Sequence, residues 1–184
     1  MKLIVGVTEN WGIGYENELL HWIPEDIQYF KDTTMGKVII MGYLTLLSLP
    51  NEKPLPGRVN VVVCDDPKVK VKGALMARCL TDLNLLTNFA DADDLYVIGG
   101  ASIYEQLLPY CSQALITKFA STEPKPADKF FPNLDELPQW TQIKNSETKE
   151  YEGTSFTFIV YKNSDVQNLT SLAPRDLFRS PSSA

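Results

Sequence analysis

Short apolar runs closed by turn formers dominate the first two thirds of the chain, and their spacing predicts alternating strands and helices. Residues 3–7 (LIVGV) read as a buried strand, followed by a Gly- and Asn-rich loop over 8–17. Pro24 suits the first turn of a helix running to about residue 34. A second strand over 38–41 ends at Gly42, and 44–49 forms a short helical turn. The prolines of 54–58 make a rigid turn into a strand over 59–64. A helix follows over 80–89, then a strand over 95–98 stopped by Gly99-Gly100, and a helix over 103–108. Strands over 114–120 and 154–161 complete the pattern, the second preceded by a hairpin turn at Glu152-Gly153. Such alternation predicts an α/β fold: a mostly parallel, twisted central sheet flanked by helices, with an antiparallel C-terminal hairpin.

The chain has 184 residues, which at roughly 150 per domain implies one domain over 1–163 and an appended tail over 164–184. Composition turns there to Ser, Pro and Asn, so the tail is expected to be mobile, either as a bland extension or with a partner-docking motif around 172–178. No apolar run is long enough to cross a membrane, and the N-terminus lacks the pattern of a signal peptide. Cys64, Cys79 and Cys111 lack metal-ligand spacing and read as reduced thiols, so neither a metal nor a disulfide is expected. A cytoplasmic monomer is expected. The net charge of −6 argues against a nucleic-acid partner. It also means that an anionic ligand must be held by a few local cations or by backbone N–H groups.

Three stretches could carry chemistry. Asp26 lies at the edge of the apolar face of the first helix: at ~100° per residue, Phe30 is about 40° away, Ile23 about 60° and Ile27 about 100°. It either complements the helix dipole or sits in an apolar cleft with a raised pKa, ready to pair with a cationic heterocycle. In PLPGR (54–58), Arg58 is either a solvated arginine or a preorganised fork for a carboxylate. Ile98-Gly99-Gly100-Ala101 stands at the carboxyl end of a strand, where sheet proteins bind ligands, although it lacks the spacing of a dinucleotide fingerprint.

The order and spacing of these stretches discriminate better than any one of them. An acid in the first helix, a strand ending in Ile-Met-Gly, PLPGR, a Val-Val-Val strand and VIGGASIYEQLLP, in that order, resemble dihydrofolate reductase over about residues 1–162. The VVVCD strand end is similar to that of phage-encoded members. The resemblance implies an oxidoreductase that uses NADPH to reduce 7,8-dihydrofolate to tetrahydrofolate, with hydride going to pterin C6 and a proton to N5. Its product would serve one-carbon metabolism and nucleotide precursor synthesis.

Carried over by position, Asp26 implies the pocket acid and Thr117 its hydrogen-bonded companion. Ile4, Val5 and Gly6 imply the first-strand backbone beside the pterin and nicotinamide, and Ile27, Phe30, Leu49, Leu55 and Ile98 the apolar wall. Arg58, assisted by Lys31, implies the grip on the glutamate carboxylate. Gly99 and Gly100 imply a cis pair, with Tyr104 beside the nicotinamide. Ala101, Ser102, Ile103 and Thr45 imply the phosphate contacts, and Ile13, Gly42, Tyr43, Val63, Cys64 and Asp65 the remaining cofactor contacts.

The resemblance breaks in two places. The family tryptophan before the first helix is matched either by Trp22, with one residue missing, or by His21 in an ungapped register. On the cofactor side, Tyr43 and Ser102 stand where basic residues are usual, and Cys64-Asp65 where hydroxyls are usual. Asp65 would repel a 2′-phosphate. Two other readings remain: a non-catalytic folate-binding or structural protein on the same fold, and a reductase of a riboflavin-pathway pyrimidine. PLPGR and Asp26 weigh against the second.

Overall fold

The computed structural model describes residues 1–120 and 126–169. Its strands and helices, in chain order, are β1 (Lys2–Thr8), β2 (Gly12–Tyr15), β3 (Glu18–Leu19), α1 (Pro24–Thr34), β4 (Val38–Gly42), α2 (Tyr43–Ser48), β5 (Val59–Val63) and β6 (Ala74–Ala77). There follow β7 (Leu95–Gly99), α3 (Ala101–Leu107), β8 (Gln113–Phe119), β9 (Lys129–Phe130), β10 (Trp140–Asn145), β11 (Lys149–Tyr151) and β12 (Thr154–Asn163).

The main sheet runs β10-β12-β8-β1-β7-β4-β5-β6, with β11 paired to β12. Every pair from β8 across to β6 is parallel, whereas β12 runs antiparallel to β8, β10 and β11. The expected fold class therefore holds. In a parallel sheet both faces are covered, so its strands read as continuous apolar runs. The faces separate with period two: Leu3, Val5, Val7, Val38, Ile40, Val61 and Val63 join one core cluster, and Ile4, Ile39, Met41 and Val62 the other. Ile103 and Leu107 of α3 pack on the first face, while Tyr29 and Phe30 of α1 and Leu46 of α2 pack on the second. The β11–β12 hairpin turns through Glu152 (φ 48°) and Gly153 (φ 80°), between the paired Tyr151 and Thr154. Two positive φ values in a two-residue loop match the right-handed twist of the flanking strands.

Residues 80–89, expected as an α-helix, are instead wound as a 3-10 helix over Leu80–Asn88. The physical reason is a spacing of three: Leu80, Leu83 and Leu86 are all buried, and three residues per turn put them on one face. The expected loop over 8–17 contains β2, which forms a small second sheet with β3 and β9. The strand β6 was also not foreseen. The composition break at Ser164 does not end the packing. Ser164 N donates to Gln139 O (2.9 Å), Gln167 N donates to Pro109 O (2.9 Å), and Leu169 joins the first core cluster. Residues 170–184, with the expected docking stretch at 172–178, lie outside the described residues.

Candidate active site

Asp26 sits in the first turn of α1, and its carboxylate turns inward against β1. A Cβ built on Gly6 would lie 3.6 Å from Asp26 Oδ2 and 2.8 Å from Phe119 Cε2. Gly6 pairs in register with Thr117 of β8, whose side chain is buried (1% exposed) and hydrogen-bonds to Asp26. Burial lifts the Asp26 pKa above the usual carboxylate range, and the Thr117 bond holds it back only in part. Of the two readings open from the sequence, the desolvated carboxylate in an apolar cleft is the one the geometry supports. Phe119, which sequence reasoning passed over, is buried with Ile23 and Phe156. The only signal for it was the missing side chain at position 6.

The expected apolar wall assembles in one cluster: Phe30, Leu49, Leu55 and Ile98 pack with Tyr43 around Ile4, Ile39, Met41 and Leu46. Ile27, half-buried, follows Asp26 in the first turn of α1. At the far end, Arg58 donates from Nε to Pro56 O (3.1 Å) and from Nη1 to Thr34 Oγ1 (3.2 Å), and its guanidinium lies 5.9 Å from the Phe30 ring centre. The fork is thus braced by the turn and by α1. Lys31 is exposed on the same helix. The turn itself is stapled by Asn60, a buried polar residue (3% exposed) in an otherwise apolar strand. Its Oδ1 accepts from Leu55 N (2.8 Å), and its Nδ2 donates to Leu55 O (2.9 Å) and Arg58 O (3.1 Å). The lone asparagine in VNVVV was the available signal.

Beside the acid, the carboxyl ends of β7 and β4 are stripped of side chains. The Gly99–Gly100 peptide is cis. A Cβ on Gly99 would meet the Tyr104 ring at 3.1 Å, at a φ of +116° that side chains rarely adopt. On Gly100 it would meet Thr45 Oγ1 at 3.1 Å, and on Gly42 it would meet Ile103 Cγ1 at 3.1 Å. Glycine at these three positions therefore lets Tyr104, Thr45 and Ile103 close directly on the strand ends, forming a glycine cradle walled by Thr45 and Tyr104. The buried Tyr104 hydroxyl donates to Ile4 O (2.8 Å), which ties α3 to the first-strand backbone next to Asp26. Ala101 is half-buried and Ser102 exposed at the start of α3, where Ser102 Oγ accepts from Gln106 Nε2 (2.8 Å). Asp65 is exposed just past β5.

Trp22 and His21, the two candidates for the family tryptophan, have different surroundings. Trp22 is 66% exposed and lines a cavity with Leu19, Leu44 and Leu47. His21 packs inward: its ring centre lies 4.6 Å from that of Phe119, the ring that also abuts Gly6. That placement favours the ungapped register. Val63 and Ile103 are buried in the first core cluster and Cys64 is buried beside it, while Ile13 packs against that cluster from β2. Unforeseen was a ring cluster beneath the cradle. Trp11 (φ 63°) stacks on Phe131 at 6.1 Å under the Lys118 ammonium at 4.0 Å, and Phe131 meets Tyr104 edge-on at 5.1 Å. Among the described residues no cluster of three His, Cys, Asp or Glu is placed to hold a metal.

The geometry defines a class: an α/β protein with a desolvated acid at one strand end and a glycine cradle on the strands beside it. Comparison with known proteins identifies the family. The family model described as dihydrofolate reductase matches residues 1–163, and the chain belongs to the dihydrofolate reductase family. It is 38% identical over 163 residues to dihydrofolate reductase from Neisseria meningitidis serogroup A, covering 88% of this chain and 96% of that one. It is 32% identical over 164 residues to the enzyme from Bacillus subtilis, covering 88% and 94%. Among solved structures, dihydrofolate reductase from Enterococcus faecalis, complexed with NADP(H) and RAB-propyl, superposes with a TM-score of 0.79 at 23% identity. It covers 89% of this chain and 96% of that chain, a likeness of fold.

Proposed function

We propose that this protein reduces 7,8-dihydrofolate to 5,6,7,8-tetrahydrofolate with NADPH as the hydride donor. The observation that carries the reading is the Asp26 carboxylate, desolvated and hydrogen-bonded to Thr117, one strand away from the Gly99–Gly100 cradle. The cradle suits the cofactor because glycines at 42, 99 and 100 present backbone rather than side chains at the carboxyl ends of β4 and β7, where sheet proteins bind ligands, and because it adjoins the acid through the Tyr104–Ile4 bond. When bound, NADPH supplies the hydride that adds to C6 of the dihydropterin.

The chain's own residues do the rest. Asp26 pairs with the amino group and ring nitrogen of the pterin and favours its protonated form, in support of protonation at N5. Thr117 completes that hydrogen-bond network. Phe30, Leu49, Leu55 and Ile98 exclude water around the rings, and Arg58 grips the glutamate carboxylate as a bidentate fork. Tyr104, Thr45 and the start of α3 serve the cofactor. Holding the two reacting carbons together is the larger part of the work. As part of the same proposal the enzyme acts as a cytoplasmic monomer, without nucleic-acid or membrane partners. In support, the net charge is −6, no described helix is long and apolar enough to cross a membrane, and the three cysteines are free.

The direct test is loss of NADPH absorbance on adding dihydrofolate to the purified full chain. No loss at any substrate concentration would leave a folate-binding role without catalysis. Loss with a ribosylaminopyrimidine alone would move the activity to a different substrate.

A further inference from the structure

We propose that Asp65 sets the cofactor preference by binding the free 2′-hydroxyl of the adenosine ribose, so that the chain accepts NADH alongside NADPH. The inference rests on the reductase reading above and concerns the far end of the same site.

Sheet order fixes where that end lies. The strands β1, β7, β4 and β5 stand side by side. One reacting ring is held at β1 by Asp26 and Gly6, and the bare glycines lie at the ends of β7 and β4. A dinucleotide laid over that cradle extends toward β5, three inter-strand spacings or about 14 Å from β1. The register of β4 on β5, with Gly42 opposite Val63, brings Cys64 and Asp65 level with the cradle. The β4–α2–β5 unit is a parallel pair joined by a helix, and Asp65 stands about twenty residues beyond Gly42. That is where a carboxylate in such a unit accepts a hydrogen bond from a ribose 2′-hydroxyl.

The carboxylates at the strand end itself, Asp65 and Asp66, oppose a 2′-phosphate. Asp65 is exposed and makes no hydrogen bond or ion pair among the described residues, so its oxygens are available. Asp66 adds a second exposed carboxylate, although its Oδ1 is taken by Lys68 N (2.8 Å). The guanidinium just past the adjoining strand β6, that of Arg78, is committed elsewhere. It donates to Cys64 O (3.0 Å), Asp66 O (2.5 Å) and Val69 O (2.7 Å), which fixes the loop that carries Asp65. To meet a phosphate it would have to abandon carbonyls it now satisfies. The other local cations, Lys68, Lys70 and Lys72, are all exposed, and they alternate with Val69 and Val71, which are half-buried.

The experiment is calorimetric titration of the full chain with NADP⁺ and with NAD⁺, for the wild type, Asp65→Ser and a Lys68→Ala/Lys70→Ala double variant. The wild-type dissociation constants should lie within about tenfold of each other. Asp65→Ser should move their ratio ten- to thirtyfold toward NADP⁺, about 1.4–2 kcal/mol, and the shift should shrink in high salt because both charges are exposed. The double lysine variant should leave the ratio within about threefold of wild type. A wild-type preference for NADP⁺ above a hundredfold, or a ratio that Asp65→Ser leaves unchanged, overturns the proposal. So does a ratio that collapses in the lysine variant, which would make the lysines the readers of the phosphate. Failure to bind either nucleotide, together with no NADPH oxidation, would strike the reductase reading itself, whereas tight and strict NADP⁺ binding strikes only Asp65.

Discussion

Replacing Asp26 by Asn is close to isosteric and can keep the bond to Thr117 while removing the titrating group. The structure sets two magnitudes. General-acid assistance is worth ~10²–10⁴ in rate, so turnover at neutral pH should fall by about that factor, or roughly 3–5 kcal/mol of barrier. In acid the loss should narrow, because the solvent then protonates the substrate without help. The second magnitude is thermodynamic and has the opposite sign. Burial raises the folded-state pKa of Asp26 above its ordinary 3.8, so the fold binds this proton more tightly than the unfolded chain does. That contribution is fully present below the unfolded value and is lost as pH rises through the folded one. Each unit of displacement is worth about 1.4 kcal/mol. At neutral pH the Asn variant should therefore be more stable than the wild type, with the gap closing in acid. Steady-state turnover across pH, paired with urea unfolding in the same buffers, reads both. A variant that turns over within about threefold of wild type at neutral pH would show that this carboxylate is not catalytic, and one that is less stable there would show that it is not desolvated.

Gly6→Ala would place a Cβ 2.8 Å from Phe119 Cε2, so that the ring must shift at a cost of about 1–3 kcal/mol. An unchanged urea midpoint would mean the ring moves freely. Asn60→Ala removes three hydrogen bonds from a buried site and should cost about 1–3 kcal/mol for the groups left unpaired. Because the staple positions the Arg58 turn, KM for dihydrofolate should rise more than kcat falls, and the reverse split would disprove that link. Trp22→Ala, at an exposed position, should change unfolding stability by less than about 0.5 kcal/mol. His21→Ala, which strips a ring from Phe119, should cost more than that and lower turnover further, and equal effects would reopen the register.

Much of the sheet was legible because its parallel strands are buried on both faces. Residues 38–41, 59–64 and 95–98 show as apolar runs of strand length, and each became a strand within two residues of the expected bounds. The 3-10 winding was not legible, since Leu80, Leu83 and Leu86 satisfy a short α-helical pattern nearly as well as a three-residue one. Nor was the second sheet. The strand β2 (GIGY) has little side-chain pattern, and its pairing depends on Lys129 and Phe130, far along the chain. In the site, Asp26, Arg58 and Gly99-Gly100 were found by motif and place. Phe119, Asn60 and Arg78 were missed because what they do depends on backbone carbonyls and ring edges that only folding brings to them. The Trp22 and His21 readings differ by a one-residue slip in a short loop, and nothing in the local pattern breaks that tie.

The strands under the two ligand subsites stand in the spatial order β1, β7, β4, β5, but the chain reaches them in the order β1, β4, β5, β7. The last neighbour to arrive is inserted between the first two. No fragment that stops short of Tyr104 can therefore close the cradle, and none that stops short of Thr117 completes the hydrogen bond to Asp26. Saturation with cofactor, which acts only on the assembled sheet, should then slow proteolytic cutting at every site that global unfolding exposes by one common factor.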